Sequence, residues 1–367
     1  MTAPAIPRSG PTRRDRVLVV RQDAAGDVLL AGPAIRAVAA GARSVTLLAG
    51  PRGHDAATLL PGLDDILVRA APWIEPDPDP IDPAGLRDAV TELARRRFDA
   101  ALLLTSFHQS PLPGALLLRA AGVPWVGAAS EDYPGSLLDL RHPPEHHLPE
   151  AERALSLVRA AGFDLPPGDD GRLAVARPLP AVRELTGPPG YVVVHPGASV
   201  PARRPSAHRT AAHVRALARA GYRVLVTGGP DERDLTARVA GEHAVDLGGC
   251  TGTAGLAAVL DAARAVVVPN TGPAHLAAAV GTPVVSLFAP VVPAHRWRPH
   301  AVASVLLGDQ SAPCRDTRAR TCPVPGHPCL DEVSPGDVVA AVDRLAGPAP
   351  SGPSAARPAA RPPEVPR

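Results

Sequence analysis

Between residues 265 and 288 the chain sets a possible anion site between two apolar runs. Pro269-Asn270-Thr271-Gly272-Pro273-Ala274-His275 follows the run Ala265–Val268, which reads as a buried strand. It opens an Ala-rich stretch, Gly272–Val280, that reads as a helix. Asn270 and Thr271 both suit the N-cap, and Pro273 falls in the first turn, where a missing N–H is tolerated. Gly272 lets another group approach the backbone closely. A strand, a tight turn and a helix N-terminus with exposed N–H groups can take an anion such as a phosphate. His275 lies about one turn in and is expected to face the same ligand. The second apolar run, Pro283–Phe288, follows at once. The turn is therefore expected at the carboxyl end of a parallel sheet, where open α/β folds bind ligands.

Three more loops follow apolar runs and carry unusual residues. In Arg21-Gln22-Asp23-Ala24-Ala25-Gly26-Asp27, Gly26 permits a tight turn and Asp27 stands at the start of a helix expected from about Val28 to Ala40. The residues alone favour a helix N-cap for Asp27 over a general base at the floor of a cleft, because a helix dipole that keeps a carboxylate ionised also weakens it as a base. Asp23 is the second carboxylate of that loop. In His195-Pro196-Gly197-Ala198-Ser199, followed by Arg203-Arg204, small residues and paired guanidiniums suit a diphosphate. A solvated loop with surface arginines fits them equally well. Thr227-Gly228-Gly229-Pro230-Asp231-Glu232 reads as a tight strand-to-helix turn. Neither this loop nor the first carries GxGxxG, which disfavours a dinucleotide-dependent dehydrogenase. Cys314, Cys322, Cys329 and His327 share one stretch, but their wide spacing is a poor metal signature, so no metal and no cofactor is expected. Packing or a thiol cluster is favoured there, and Cys250 is expected to be a small buried residue.

The elements that must position these loops alternate. Strand-like runs at Arg16–Val20, Ser44–Ala49, Asp65–Arg69, Phe98–Leu104 and Pro124–Gly127 are separated by helical patterns, notably Pro83–Arg97 and Pro111–Ala121. The pattern lapses over Ala129–Pro149, and Pro166–Pro189 marks a boundary. It then resumes with strands at Tyr191–Val194, Tyr222–Thr227, Ala244–Leu247, Ala265–Val268 and Pro283–Phe288. This is the signature of parallel sheets covered on both faces. We expect an α/β chain of two Rossmann-like domains facing each other across a cleft, residues 16–172 and 173–334. A helix over 335–346 is expected to follow, with disordered segments at 1–15 and 347–367.

Composition removes other classes. The 367 residues suffice for two cores, and at 45% hydrophobic no apolar run reaches the length of a membrane span. All 38 basic residues are arginine. That excludes a Walker A loop and a Schiff-base lysine, and leaves every cationic phosphate contact to Arg or His. A net charge of +2 gives no case for nucleic acid and, at most, a peripheral membrane contact. Met1–Arg16 lacks the apolar core of a secretory signal, and four cysteines then suggest reduced thiols in the cytoplasm.

Together these residues resemble glycosyltransferase family 9, the heptosyltransferases. The resemblance is carried by Val17 to Leu30 with its Gly26-Asp27 turn, by His195-Pro196-Gly197-Ala198-Ser199, and by Asn270 through His275 to Thr282-Pro283-Val284-Val285, Pro293 and Trp297. It implies a GT-B fold, with residues 16–172 on the acceptor side and 173–334 binding the nucleotide sugar, and an inverting, metal-independent transfer from a nucleotide-activated sugar, ADP-heptose in the best-known members. It implies that Asp27 is the catalytic base, with Gly26 and Asp23 in its acceptor-side loop. It implies that the donor diphosphate lies on Thr271, Gly272 and His275, with Ser199, Arg203 and Arg204 in support. Asn270 stands where many members carry an acidic residue that contacts the donor sugar. Partners implied are a nucleotide-diphosphate sugar and a glycan, lipid-linked glycan or small-metabolite acceptor. A sugar-nucleotide epimerase, or a non-catalytic sugar-nucleotide-binding module, is the alternative on the same fold.

Overall fold

The computed structural model describes residues 10–349. They divide into two compact units, one ending at Arg172 and the other beginning at Leu173. The first holds strands β1 (Arg16–Arg21), β2 (Ser44–Ala49), β3 (Asp65–Val68), β4 (Ala100–Leu103), β5 (Trp125–Ala129) and β6 (Leu140–His142). They form one parallel sheet in the order β3-β2-β1-β4-β5-β6. The second holds β7 (Tyr191–Val194), β8 (Val224–Gly228), β9 (Val245–Gly248), β10 (Ala263–Pro269), β11 (Val284–Leu287) and β12 (Ser304–Leu307). These are also parallel, in the order β12-β11-β10-β7-β8-β9.

Both sheets have the doubly wound 3-2-1-4-5-6 order, in which the strand sequence reverses once. The reversal falls between β1 and β4 in the first unit and between β7 and β10 in the second. The central strands are apolar runs without alternation because helices cover both faces. Val17, Leu18 and Val19 in β1, and Val192 and Val193 in β7, are fully buried. At each reversal the chain diverges to opposite sides and leaves a crevice at the carboxyl ends of the two strands.

Several expectations need correction. The helix predicted over Val28–Ala40 begins earlier and is broken, as Ala25–Leu30 and then Gly32–Gly41. Pro33 accounts for the break: it lacks an N–H and is tolerated only in a first turn, so the second helix starts beside it. The early start makes Ala24 the N-cap and puts Asp27 inside the first turn. Two strands had no clear signal in the sequence. β6 and β12 are edge strands of three and four residues, both incompletely buried, so neither needs a long apolar run. The segment expected to be disordered over residues 1–15 is held at its end. Arg14 donates to the Gly162 carbonyl at 2.8 Å and lies 4.6 Å from the centre of the Phe163 ring. At the other terminus the carbonyls of Gly347 and Pro348 accept hydrogen bonds from Tyr222 and Arg264, respectively. The rest of both segments lies outside the described residues. No described helix is long and apolar enough to cross a membrane.

Candidate functional site

Every loop predicted to bear chemistry leaves the carboxyl end of a strand, and the main ones flank the two reversals. In the first unit the Arg21–Asp27 loop leaves β1, and a loop carrying Ser106 and Gln109 leaves its neighbour β4. The backbone stitches them together, Leu104 N–H donating to the Val20 carbonyl at 2.9 Å. Glycines keep the first loop close to the sheet. A Cβ at Gly50 would fall 2.3 Å from the Gln22 carbonyl oxygen, and one at Gly53 2.6 Å from the Val28 side chain.

Across this crevice runs a charged network. Arg21 is buried, and its Nε lies 2.9 Å from Asp23 Oδ2. Its Nη2 donates to Asp27 Oδ1 at 3.0 Å and to Ser106 Oγ at 2.9 Å. Gln109 Nε2 donates to Asp23 Oδ1 at 2.5 Å, while Gln109 Oε1 accepts from Ser106 N–H at 2.9 Å. Burial favours the protonated form of Asp23 and pushes its pKa above the ordinary carboxyl range, against the pull of Arg21. The N-cap reading of Asp27 does not hold, since Ala24 takes that position and no side chain caps this helix. Gly26 is buried in the same turn. Arg21, Ser106 and Gln109 were not singled out from the sequence. Only the strand order brings the β4 loop beside β1, so no local signal marks them.

In the second unit β7 and β10 are adjacent, with His195 N–H donating to the Val267 carbonyl at 2.9 Å. The His195–Arg204 loop and the Asn270–His275 turn therefore flank the second crevice. Thr271 is the N-cap of the helix Gly272–Val280 by its extended backbone (φ −146°), but no side chain caps the helix. The predicted cap position is thus occupied while the capping hydrogen bond is not made. Asn270 is buried; its Oδ1 accepts from Ala289 N–H at 3.3 Å. Its Nδ2 has no acceptor among the described residues. His275 is buried at the same helix start. Ser199 and Arg204 are exposed, and Arg203 is half-buried at the end of a single 3₁₀ turn, Pro201–Arg203.

The β8 loop adds a residue that the sequence reading left inside a turn. Glu232 Oε2 accepts from Gly229 N–H at 2.9 Å and lies 3.9 Å from His195 Nε2. Its carboxylate rests on Gly197, where a Cβ would stand 1.8 Å from Oε1. His195 Nδ1 hydrogen-bonds Thr227 Oγ1 at 3.1 Å, and burial keeps its imidazole below the ordinary histidine range despite Glu232. The crevice thus carries a carboxylate beside β8 and an uncapped helix start beside β10, so it can distinguish hydroxyl groups from phosphate.

The loop with the cysteines is tied to this region through its backbone. Asp316 and Arg318 N–H groups donate to the Pro290 and Val291 carbonyls, and the Arg320 carbonyl accepts from Ala202 N–H. Cys314 and Cys329 are buried and Cys322 is partly so; burial and the neighbouring thiols push Cys329 up to about 12. No group of three metal-ligating residues is arranged to hold a metal ion among the described residues. Cys250, expected to be buried, is only partly so. A hollow of about 630 Å³ between the segment 177–189 and the helix Thr253–Asp261 holds none of the predicted site residues.

Comparison with known proteins identifies the family and the fold. The model of glycosyltransferase family 9 (heptosyltransferase) matches residues 87–327, which begins after the Arg21–Asp27 loop. Lipopolysaccharide heptosyltransferase 3 of Escherichia coli is 33% identical over 164 residues, 42% of this chain and 46% of that protein. The match thus spans about half the length of that curated relative. Among solved structures, a family 9 glycosyl transferase from Veillonella parvula superposes with a TM-score of 0.71 at 16% identity, covering 92% of this chain and 99% of that one. ADP-heptose LPS heptosyltransferase II of E. coli gives 0.69 at 19%, covering 90% and 98%. E. coli heptosyltransferase WaaC, solved with ADP-2-deoxy-2-fluoro heptose, gives 0.65 at 18%, covering 90% and 99%. At these identities the structural likeness is one of fold, two doubly wound parallel sheets of the GT-B class. With a family match over more than half of its length, the chain belongs to glycosyltransferase family 9.

Proposed function

We propose that the protein is an inverting, metal-independent glycosyltransferase that moves a heptose-like sugar from an ADP-linked donor to a hydroxyl of a glycan or lipopolysaccharide-core-like acceptor. One observation carries the reading: the helix Gly272–Val280 starts uncapped at the second crevice, beside the buried, unpartnered Nδ2 of Asn270. A buried donor without an acceptor costs about 1–3 kcal/mol, and an oxygen-rich ligand removes that cost. The Gly272 N–H and the positive end of the helix that starts there suit the donor diphosphate, with Thr271, His275, Arg203, Arg204 and Ser199 around it. Asn270 Nδ2 suits an oxygen of the donor sugar. Glu232 repels phosphate and suits ribose hydroxyls. The names of the relatives support ADP and heptose as the donor parts.

In the proposed reaction Asp27 takes the proton of the acceptor hydroxyl as its oxygen attacks the anomeric carbon. The bond from that carbon to the diphosphate oxygen breaks, and the nucleotide diphosphate leaves with the electron pair. Fixed dipoles and guanidiniums stabilise the charge that develops there, the part a metal ion plays in other transferases. The test incubates the protein with ADP-heptose, with and without lipopolysaccharide-core acceptors, in EDTA, and measures free ADP. Acceptor-dependent release of ADP is expected. Strict dependence on Mg²⁺ or Mn²⁺ overturns metal independence. A converted sugar nucleotide without free ADP makes the protein an epimerase, and binding without conversion makes it a sugar-nucleotide-binding module.

A further inference from the structure

The first crevice has an aromatic wall. β3 ends at Val68, and the chain then makes one compact turn that carries Trp73 and Ile74. The carbonyl of the fully buried Ala71 accepts from the Ile74 N–H at 2.8 Å and from the Glu75 N–H at 3.0 Å. The turn is pinned on both sides. Before it, Gln22 Nε2 donates to the Arg69 carbonyl at 2.9 Å; after it, Arg52 Nε donates to Glu75 Oε2 at 2.9 Å. Gln22 belongs to the Arg21–Asp27 loop, so the turn is fastened to the segment that carries Asp27. Trp73 and Ile74 line a hollow of about 10 Å³ whose other walls include Asp23, Gln109, Ser110 and Leu104. That volume holds about one water molecule, so a larger group lies over the hollow rather than inside it. The three tryptophans of the chain differ in what they touch. Trp125 is packed on Gly127, where a Cβ would stand 2.7 Å from the indole Cη2, and its Nε1 is buried. Trp297 takes part in contacts with its neighbours. Trp73 is half-buried, and its side chain makes no hydrogen bond, ring contact or cation contact with any described residue. A large amphipathic ring held on a pinned turn, with its N–H uncommitted, has the makings of a binding anchor.

We propose that Trp73 is the platform on which a sugar ring of the acceptor stacks, with Gln109 and Ser110 meeting the hydroxyls at the edge of that ring. The acceptor is then a ring-bearing glycan and not an acyclic metabolite. The inference rests on the proposed reading in which Asp27 meets the acceptor hydroxyl. The face of an aromatic ring is electrostatically negative. A sugar ring presents on one face C–H groups that are apolar and slightly positive, while its hydroxyls point outward around the edge. Stacking removes both apolar faces from water and leaves the hydroxyls free to meet polar side chains. The indole N–H supplies one further donor. Gln109 suits the rim because its amide is held in place, Nε2 donating to Asp23 Oδ1 at 2.5 Å and Oε1 accepting from Ser106 N–H at 2.9 Å. Each end of that amide keeps one more hydrogen-bonding position. An acyclic polyol has no fixed apolar face and gains little from the indole. Arg21 links the platform to the base, since it holds both Asp23, which lines the same hollow, and Asp27.

The test uses the full chain with a delipidated lipopolysaccharide-core oligosaccharide, and sorbitol as the acyclic control. Tryptophan emission is titrated with each, in the unsubstituted protein and in Trp73→Phe, which keeps a ring but no indole. The oligosaccharide is expected to change the emission saturably in the unsubstituted protein only, and sorbitol in neither. Release of ADP from ADP-heptose then gives the acceptor KM. Trp73→Leu, which keeps apolar bulk without a ring, is expected to raise it roughly three- to tenfold, the range of one aromatic contact. Trp73→Ala is expected to raise it at least as far and Trp73→Phe by less, with kcat and the affinity for ADP little changed. If Trp73→Ala does not fold, Trp73→Leu decides. An acceptor KM in Trp73→Leu equal to that of the unsubstituted protein overturns the proposal. So does an emission change that survives in Trp73→Phe, that sorbitol matches, or that the oligosaccharide fails to produce. An emission change lost in Trp73→Phe, without any release of ADP, upholds the sugar platform and overturns the transfer reading. Release of ADP with one acceptor KM across all variants upholds transfer and overturns the platform.

Discussion

Replacing Gly197 with alanine tests the geometry of the second crevice. A Cβ there would stand 1.8 Å from Glu232 Oε1, 2.4 Å from Cδ and 2.6 Å from Oε2. These distances are far inside van der Waals contact, so the carboxylate must leave. It then loses the Gly229 N–H at 2.9 Å and its place 3.9 Å from His195 Nε2. A hydrogen bond to a charged group contributes about 1.5–3 kcal/mol. The low end applies, because Glu232 is partly exposed and water replaces some of the interaction. For a domain of this size each kcal/mol corresponds to roughly 2–4 °C, so Gly197→Ala is expected to lower the melting temperature by about 3–8 °C. The assay is a double-mutant cycle by thermal unfolding with Glu232→Ala. In the Glu232→Ala background the same change should be neutral or slightly stabilising, since the clash is gone and alanine lowers the entropy of the unfolded chain. An equal loss in both backgrounds, or none in the unsubstituted protein, refutes the reasoning.

Further outcomes follow from the same geometry. Asp27→Asn should lower turnover by ~10²–10⁴-fold, the usual loss for a general base, and leave donor affinity, read by calorimetry with ADP, nearly unchanged. Arg203→Ala should weaken ADP binding by about tenfold or more, the loss of one charged contact, with Arg204→Ala as the comparison if the register differs. Burial holds the imidazoles of His195, His213 and His142 below the ordinary range. The unfolded chain therefore binds protons that the folded one refuses, so stability is present above about pH 6.5 and falls as the pH drops through it. Melting curves between pH 7.5 and 5.5 should show this, with a flatter slope in His213→Asn. A thiol reagent at pH 8 should modify Cys250 and Cys322 in the folded protein, and Cys314 and Cys329 only on unfolding, because the last two are buried and their thiolates disfavoured.

The central strands were legible because burial on both faces demands unbroken apolar runs, as in Tyr191–Val194 and Ser44–Ala49. The helix Gly272–Val280 was legible from its Thr, Gly and Pro at the start and the Gly281 that ends it in the left-handed region (φ 84°). β12 was not, since an edge strand that is only half-buried needs little hydrophobic signal. The same division holds for the site. Asp27, Asn270 and His275 stand in motifs that sequence spacing displays. Ser106 and Gln109 acquire their place only because β4 enters the sheet beside β1, a fact of topology that no local pattern encodes. Glu232 lay within a recognised turn, yet its link to Gly197 joins two loops across neighbouring strands.

The proposed transfer requires a nucleotide diphosphate to be held at the second crevice by the helix start at Thr271 and Gly272. A crystal structure of the protein with ADP, grown in EDTA, tests it most directly. Diphosphate oxygens are expected within hydrogen-bond distance of the Gly272 backbone N–H, with Arg203 or Arg204 on the same phosphates and Glu232 facing the ribose. A diphosphate bound away from the Asn270–His275 turn, or bound only when a divalent metal is supplied, would contradict it.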